Sequence, residues 1–325
     1  MFTRQRLFTR HHQIGRKIGR NLPYLWQLQR FKRICTVWLI GGLVGGGLWL
    51  GNVRGAVYAQ RPATGGPQST AAAQSAEENF AQGNITRAMQ IWSREIKSGP
   101  DPVRSLFNRA QAYIVLKQYD AALMDLEQLI KRQGVTTPAA VFVLKGVALA
   151  ETNQVATALQ AFNRAEQIEP SALIYSNRAL VYQRSGQLLL ALEDLTRAVQ
   201  LAPNAINRLN MASLRLQLGQ FSQVVQEMNQ FIAIDKSFFS AFLNRGIAQY
   251  NLGNYEESIK DFIISLRMVP DLPEAYYYAG LAFAKLNQKQ DAAQNLTRAA
   301  DIYLRNNQAS YYRQVLEKMT ELNLQ

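Results

Sequence analysis

The sequence predicts an all-α fold: a solenoid of about seven helix pairs, a C-terminal capping helix, and one hydrophobic leader helix in front. Three observations carry this reading. Small residues recur through the body at a step near 34 residues. Between them, ALMDLEQLI and ESIKDFIISL space their apolar residues at about 3.6, the period of one buried helix face. Gly and Pro fall at fixed offsets from the recurring residue, where helices turn or stop. At 325 residues and 48% hydrophobic content, the chain has enough apolar material for a buried core.

In chain order, the first element is a block of charge. Residues 1–33 hold nine Lys/Arg, residues 1–76 hold eleven, and no acid precedes Glu77. The other 25 basic residues stand against all 23 acidic ones, so the net charge of +13 belongs to the N-terminus. A nucleic-acid groove would place that excess on the folded body, so no nucleic-acid partner is expected. Residues 1–33 read as a basic cytoplasmic leader. Residues 34–51, ICTVWLIGGLVGGGLWLG, are 18 uncharged residues, at the short end of the ~17–25 that a spanning helix needs. The basic flank places the N-terminus in the cytoplasm and the body across the cytoplasmic or thylakoid membrane. Two outcomes stay open. Val57 and Ala59 sit at the −3 and −1 places of a signal-peptidase site, with cleavage after Ala59. An uncleaved anchor fits the long basic region and the full apolar run. Residues 52–76 read as a flexible linker, since QRPATGGPQSTAAAQSA is small, polar and Pro/Gly-bearing.

Residues 77–304 repeat. The recurring residue, the anchor, falls at Ala88, Ala122, Ala158, Ala191, Val224, Ser258 and Ala292, in steps of 34, 36, 33, 33, 34 and 34. Four residues past each anchor stands a large apolar residue, from Trp92 through Phe162 to Leu296. Twelve past it, Pro100, Pro170, Pro203 and Pro270 end a helix. Five before it, Gly83, Gly186, Gly219 and Gly253 mark a turn. Twelve before it comes a small residue: Ala110, Gly146, Ala179, Ala212, Gly246 or Gly280. A small side chain there lets the two helices of one repeat cross closely. The first copy keeps only its second helix well, and the fifth departs with Val224 and Lys236 at the anchor and Pro places. The 36-residue step reflects extra residues around RQGVTTP, 132–138. Residues 305–325 contain ASYYRQVLEKMTELN, free of Gly and Pro, an amphipathic helix suited to cap an array. Over about residues 69–304 this pattern resembles the tetratricopeptide repeat family. The resemblance implies antiparallel helix pairs stacked into a right-handed superhelix, each pair burying its neighbour's apolar face.

Composition excludes several chemistries. The only Cys is Cys35 and the only His are His11 and His12, all in the leader. The body has no thiolate and no imidazole, which removes disulfides, Cys/His metal sites and Cys–His or Ser–His–Asp nucleophiles. No catalytic residue, metal or cofactor is expected, and the chain is read as non-enzymatic.

The triplet Asn-Arg-small is written at 108–110, 177–179 and 244–246. In the family that the chain resembles, the first helix of each repeat lines a concave groove. The place two before the crossing residue then carries Asn108, Asn177, Asn210 and Asn244, with Leu144 and Tyr278 in the other copies. An Asn amide offers two donors and an acceptor. A column of them resembles the asparagine ladder of the O-linked N-acetylglucosamine transferase superhelix, which holds peptide backbones irrespective of sequence. The alternative is that Asn is a framework residue at that place. Leu180, Ile247, Tyr250 and Tyr277 would add an apolar, partly aromatic lining suited to an extended or amphipathic partner. A carboxylate clamp is not expected, because Ile206 and Asn210 stand where clamp-bearing members carry basic residues. Arg109, Arg178 and Arg245 are expected to pair with acids across repeats. The function expected is a scaffold that binds an extended peptide segment of a protein partner in the groove. It would be exported, and held at the membrane through residues 34–51 if uncleaved. The alternative is a self-assembling module, a homo-oligomer without a groove ligand.

Overall fold

A computed structural model describes residues 70–324. The basic leader, the apolar run at 34–51 and the cleavage site after Ala59 lie outside the described residues. Seven antiparallel helix pairs follow one another. They are α1 (Thr70–Ala81) with α2 (Ile85–Ser98), α3 (Pro102–Val115) with α4 (Tyr119–Gln133), and α5 (Ala139–Glu151) with α6 (Val155–Ile168). Next come α7 (Ala172–Arg184) with α8 (Leu188–Leu201) and α9 (Ala205–Gln217) with α10 (Phe221–Ile234). The last pairs are α11 (Phe239–Asn251) with α12 (Tyr255–Met268) and α13 (Pro273–Lys285) with α14 (Lys289–Arg305). A single helix, α15 (Ala309–Glu321), closes the series, and there is no strand among the described residues.

Each pair packs on the next, as an array of incomplete layers must. The turns share one device. Five residues before every anchor the backbone is left-handed: Gly83, Lys117, Asn153, Gly186, Gly219, Gly253 and Asn287 have φ between 59° and 86°. Glycine reaches that region at no steric cost, and Asn is the next best tolerated residue. The helix-stopping prolines stand two residues past the ends of α2, α6, α8 and α12. The fifth repeat ends α10 differently: Asp235 Oδ1 accepts from the Ser237 amide at 2.8 Å, an Asx turn in place of the missing proline.

The crossing residue behaves as its size predicts. A Cβ on Gly146 would stand 2.8 Å from the Phe162 ring, and one on Gly246 would stand 2.7 Å from Phe262. Where that place holds Ala110 or Ala179, the residue opposite is Leu126 or Leu195. Gly280 faces Leu296 and Ala76 faces Trp92, so the crossing residue stays small whatever the size of the side chain opposite.

Two expectations change. The linker was expected to run to residue 76, yet α1 begins at Thr70, and Ala76 is fully buried in a cluster with Ala88, Trp92 and Ala112. Ala76 lies twelve residues before Ala88, the crossing place of a complete first repeat. The three triplet arginines were expected to find acids across repeats. Each instead makes a bidentate bond within its own repeat, sixteen residues on. Arg109, Arg178 and Arg245 donate from Nε at 2.8 Å to Oδ2 of Asp125, Asp194 and Asp261. Their Nη2 groups donate to Oδ1 of the same aspartates at 2.7, 2.8 and 2.6 Å. Their Nη1 groups cross to the preceding repeat, reaching Ser93 Oγ at 2.9 Å, Asn163 Oδ1 at 2.7 Å and Asn229 Oδ1 at 2.7 Å. One guanidinium thus fastens both the pair and the joint. Arg178 alone also takes an acid of the preceding repeat, Glu166.

Candidate functional site

The first helices of the repeats lie side by side, and their facing residues decide what a groove can offer. In three repeats the residue two before the crossing residue meets the first helix before it. Asn108 Nδ2 lies 3.4 Å from Glu77 Oε1 of α1. Asn244 Nδ2 lies 3.5 Å from the Leu209 carbonyl of α9, and its Oδ1 is buried without a partner. Tyr278 holds the same place in α13 and packs edge-on to Tyr250 at 5.8 Å and along Phe262 at 6.2 Å. Asn177 donates to the Leu173 carbonyl of its own helix at 2.9 Å.

Exposure follows from this. Asn177 and Asn244 each keep 1% of their surface. As drawn from the sequence, the column was a row of solvent-facing amides. The structure corrects that for these two, which are buried among neighbouring helices. Leu180 at 8% and Ile247 at 9% are likewise floor rather than open lining. Leu209 and Leu243 lie deeper still, in the core. Asn108, Asn210, Tyr250 and Tyr277 remain half-buried, with surface to offer.

Toward the C-terminal end the face becomes aromatic. Tyr277 meets Tyr278 edge-on at 5.4 Å, and Tyr250 meets Tyr255 at 5.7 Å. Burial pushes the hydroxyls of Tyr250 and Tyr277 up, and the Lys318 ammonium of α15 pulls both partly back. Lys318 itself is tied to Glu321 on its own helix. The result is a band of phenol rings bordered by one ion pair, able to receive apolar side chains and to hydrogen-bond at its rim. Among the described residues there is no cluster of His, Cys, Asp and Glu fit to hold a metal ion. No helix there is long and apolar enough to cross a membrane.

Sequence reasoning missed the arginine latches, although their signal was present. Arg followed sixteen residues later by Asp occurs in the second, fourth and sixth repeats. The third repeat carries a reduced form, with Lys145 Nζ 3.6 Å from Glu127 of the preceding repeat. Burial alone would lower the Arg178 pKa, but its bonds to Asp194 and Glu166 outweigh that and hold it raised. The arginine is therefore committed to the framework and stays charged.

Comparison with known proteins agrees with this architecture. Family models described as Tetratricopeptide repeat match residues 74–136, 118–172 and 243–308, and a second such model matches 172–205. No curated protein matches the sequence. Among solved structures, a tetratricopeptide repeat protein from Parabacteroides merdae aligns at 15% identity over 78% of this chain and 98% of its own, with a TM-score of 0.57. The Cut9–Hcn1 hetero-tetramer of the APC/C aligns at 14% identity over 80% of this chain and 54% of its own, with a TM-score of 0.50. YrrB, described as having an unusual peptide-binding site, aligns at 18% identity over 58% of this chain and 97% of its own, with a TM-score of 0.45.

Proposed function

The chain belongs to the tetratricopeptide-repeat family, a scaffold fold of protein interaction, and from that premise we propose that it is a non-enzymatic scaffold that binds an extended segment of a partner protein along its first helices. The observation that carries the reading is the half-exposed run of Asn210, Tyr250 and Tyr277 on successive first helices α9, α11 and α13. On α11 between the other two, Arg245 is latched to Asp261 of α12, which holds the Tyr250 helix against its partner. Tyrosine offers area at low entropy cost, and Asn210 has an amide free to pair with a peptide backbone. A partner strand with alternating apolar side chains suits a phenol-lined face with sparse polar groups.

In this reading residues 34–51 carry the body across a membrane, and the scaffold works in assembling or retaining envelope complexes. The basic, acid-free N-terminus supports that direction of insertion.

The test is a crosslinking pull-down from the native envelope fraction with the full chain and with an Asn210→Ala/Tyr250→Ala variant. Helicity and melting temperature of the two must agree. A partner captured by the parent and lost from the variant is the expected result. The same partners on both would overturn the groove reading.

A further inference from the structure

The fifth repeat, α9 with α10, fills the space between its helices unlike its neighbours. Four residues before the crossing residue, the second, third, fourth, sixth and seventh repeats carry Leu106, Phe142, Tyr175, Phe242 and Tyr276. The fifth carries Arg208. Three residues after it, Tyr113, Leu149, Tyr182 and Phe283 are matched in the fifth by Arg215 and in the sixth by Gln249. Two guanidinium groups thus stand on α9 where the fourth repeat has two tyrosine rings, and Arg215 meets α10 through Glu227. The latch is missing as well, because Met211 stands where Arg178 and Arg245 stand in the flanking repeats.

The polar replacements are poorly satisfied. Arg215 pairs with Glu227 of α10 through Nη1, yet Arg215 Nε, Glu227 Oε2 and Arg208 Nε are all buried without a hydrogen bond. Burial lowers the Arg215 pKa, the reverse of the three latched arginines. Of the eight buried side-chain polar atoms without a partner among the described residues, six lie between Arg208 and Gln249. The remaining three of those six, on Ser240, Asn244 and Gln249, sit on α11, which packs against both α9 and α10. Helices α9 and α10 also pack less closely against each other than the partners of any other repeat.

Unpaired buried polar atoms penalise the closed seam and gain water when it opens. Segments with few apolar contacts are the first to open from the native state. We propose that the seam between α9 and α10 is the joint of the array. The two helices part and re-close more readily than the partners of any other internal repeat, which gives the solenoid a place to change its curvature. The joint holds whether or not the groove takes a peptide.

Native-state hydrogen exchange of the full chain tests it. The amides of α9 and α10 are expected to be protected at least about tenfold less than those of α7–α8 and α11–α12. A graft of the fourth repeat's residues, Met211→Arg with Arg215→Tyr and Glu227→Asp, should narrow that gap by a similar factor. Equal protection across α7–α12 in the parent, or a folded graft with unchanged exchange, would overturn the joint. If the graft does not fold, the parent pattern decides alone. Curvature is read by spin labels at the exposed Gln160 and Gln294 in a Cys35→Ser background. Their distance distribution should be broader than that of Gln128 with Gln160 and should narrow in the graft. Equal widths would overturn the change of curvature.

Discussion

At the scale of the residue, the array is held by a few buried charges whose surroundings differ enough to rank them. The side chains of Arg178 and Asp194 are 7% and 4% exposed, whereas those of Arg104 and Glu77 are 41% and 25% exposed. Removing one member of a buried pair strands the other. Arg178→Ala is expected to cost about 3–5 kcal/mol in urea unfolding, and Arg104→Ala under about 1 kcal/mol. Equal losses would show that the latch carries no special weight. Glu274 supplies a pH test. Burial pushes its carboxyl above the ordinary 4.5, and its Oε2 has no partner. The folded chain therefore holds this proton more tightly than the unfolded chain. Its contribution is present below pH 4.5 and is lost as the pH rises through the folded value. Glu274→Gln should stabilise by on the order of 1 kcal/mol at pH 7 and by nothing at pH 4. A melting-temperature difference that is flat with pH would contradict this. Glu166 runs the opposite way. Burial would raise it, but Arg178 holds it low, so its contribution appears above pH 4.5 and is lost as the pH falls through the folded value.

At the scale of the element, the left-handed turn and the close crossing each make a prediction. Lys117 occupies with φ 59° a place that four repeats give to glycine. Lys117→Gly should stabilise by about 0.5–1 kcal/mol, read by chemical denaturation. Destabilisation would mean that the lysine side chain holds the turn. Gly146→Ala puts a methyl group 2.8 Å from the rigid Phe162 ring and should cost about 1–3 kcal/mol. These elements were legible in the sequence because they follow from chain sterics at fixed spacing. The anchors, crossing residues, turn glycines and terminal prolines are local facts. The fate of Asn177 and Asn244 was not legible. Whether an amide faces solvent or the helix before it depends on how closely two repeats approach, and no local pattern encodes that distance. The first helix was also hidden, because TAAAQSAEENFA looks like linker until Ala76 is placed against Trp92.

At the scale of the whole molecule, a repeat array gains its stability from nearest neighbours, so a defect in one repeat stays local. The fifth repeat keeps the period while giving up the chemistry that closes the others, which makes it the place where the array can yield. The ends are treated differently. Val315 and Leu324 are buried against α14, and α15 turns Arg313, Gln314 and Glu317 outward, a polar cover for the last apolar face. The direction of insertion is a further prediction at this scale. Protease added to intact cells or right-side-out vesicles should digest the repeats, and full protection would contradict export.

Site-specific photo-crosslinking in the native envelope reads most directly whether a partner segment lies along the first helices. A photoreactive residue would stand in turn at Asn210 and Tyr250 on the first helices, and at Gln128 and Gln160 on the second helices. One shared adduct is expected from the first pair of positions, absent from the second pair. Adducts only from Gln128 and Gln160 would contradict it and move the interaction to the outer face.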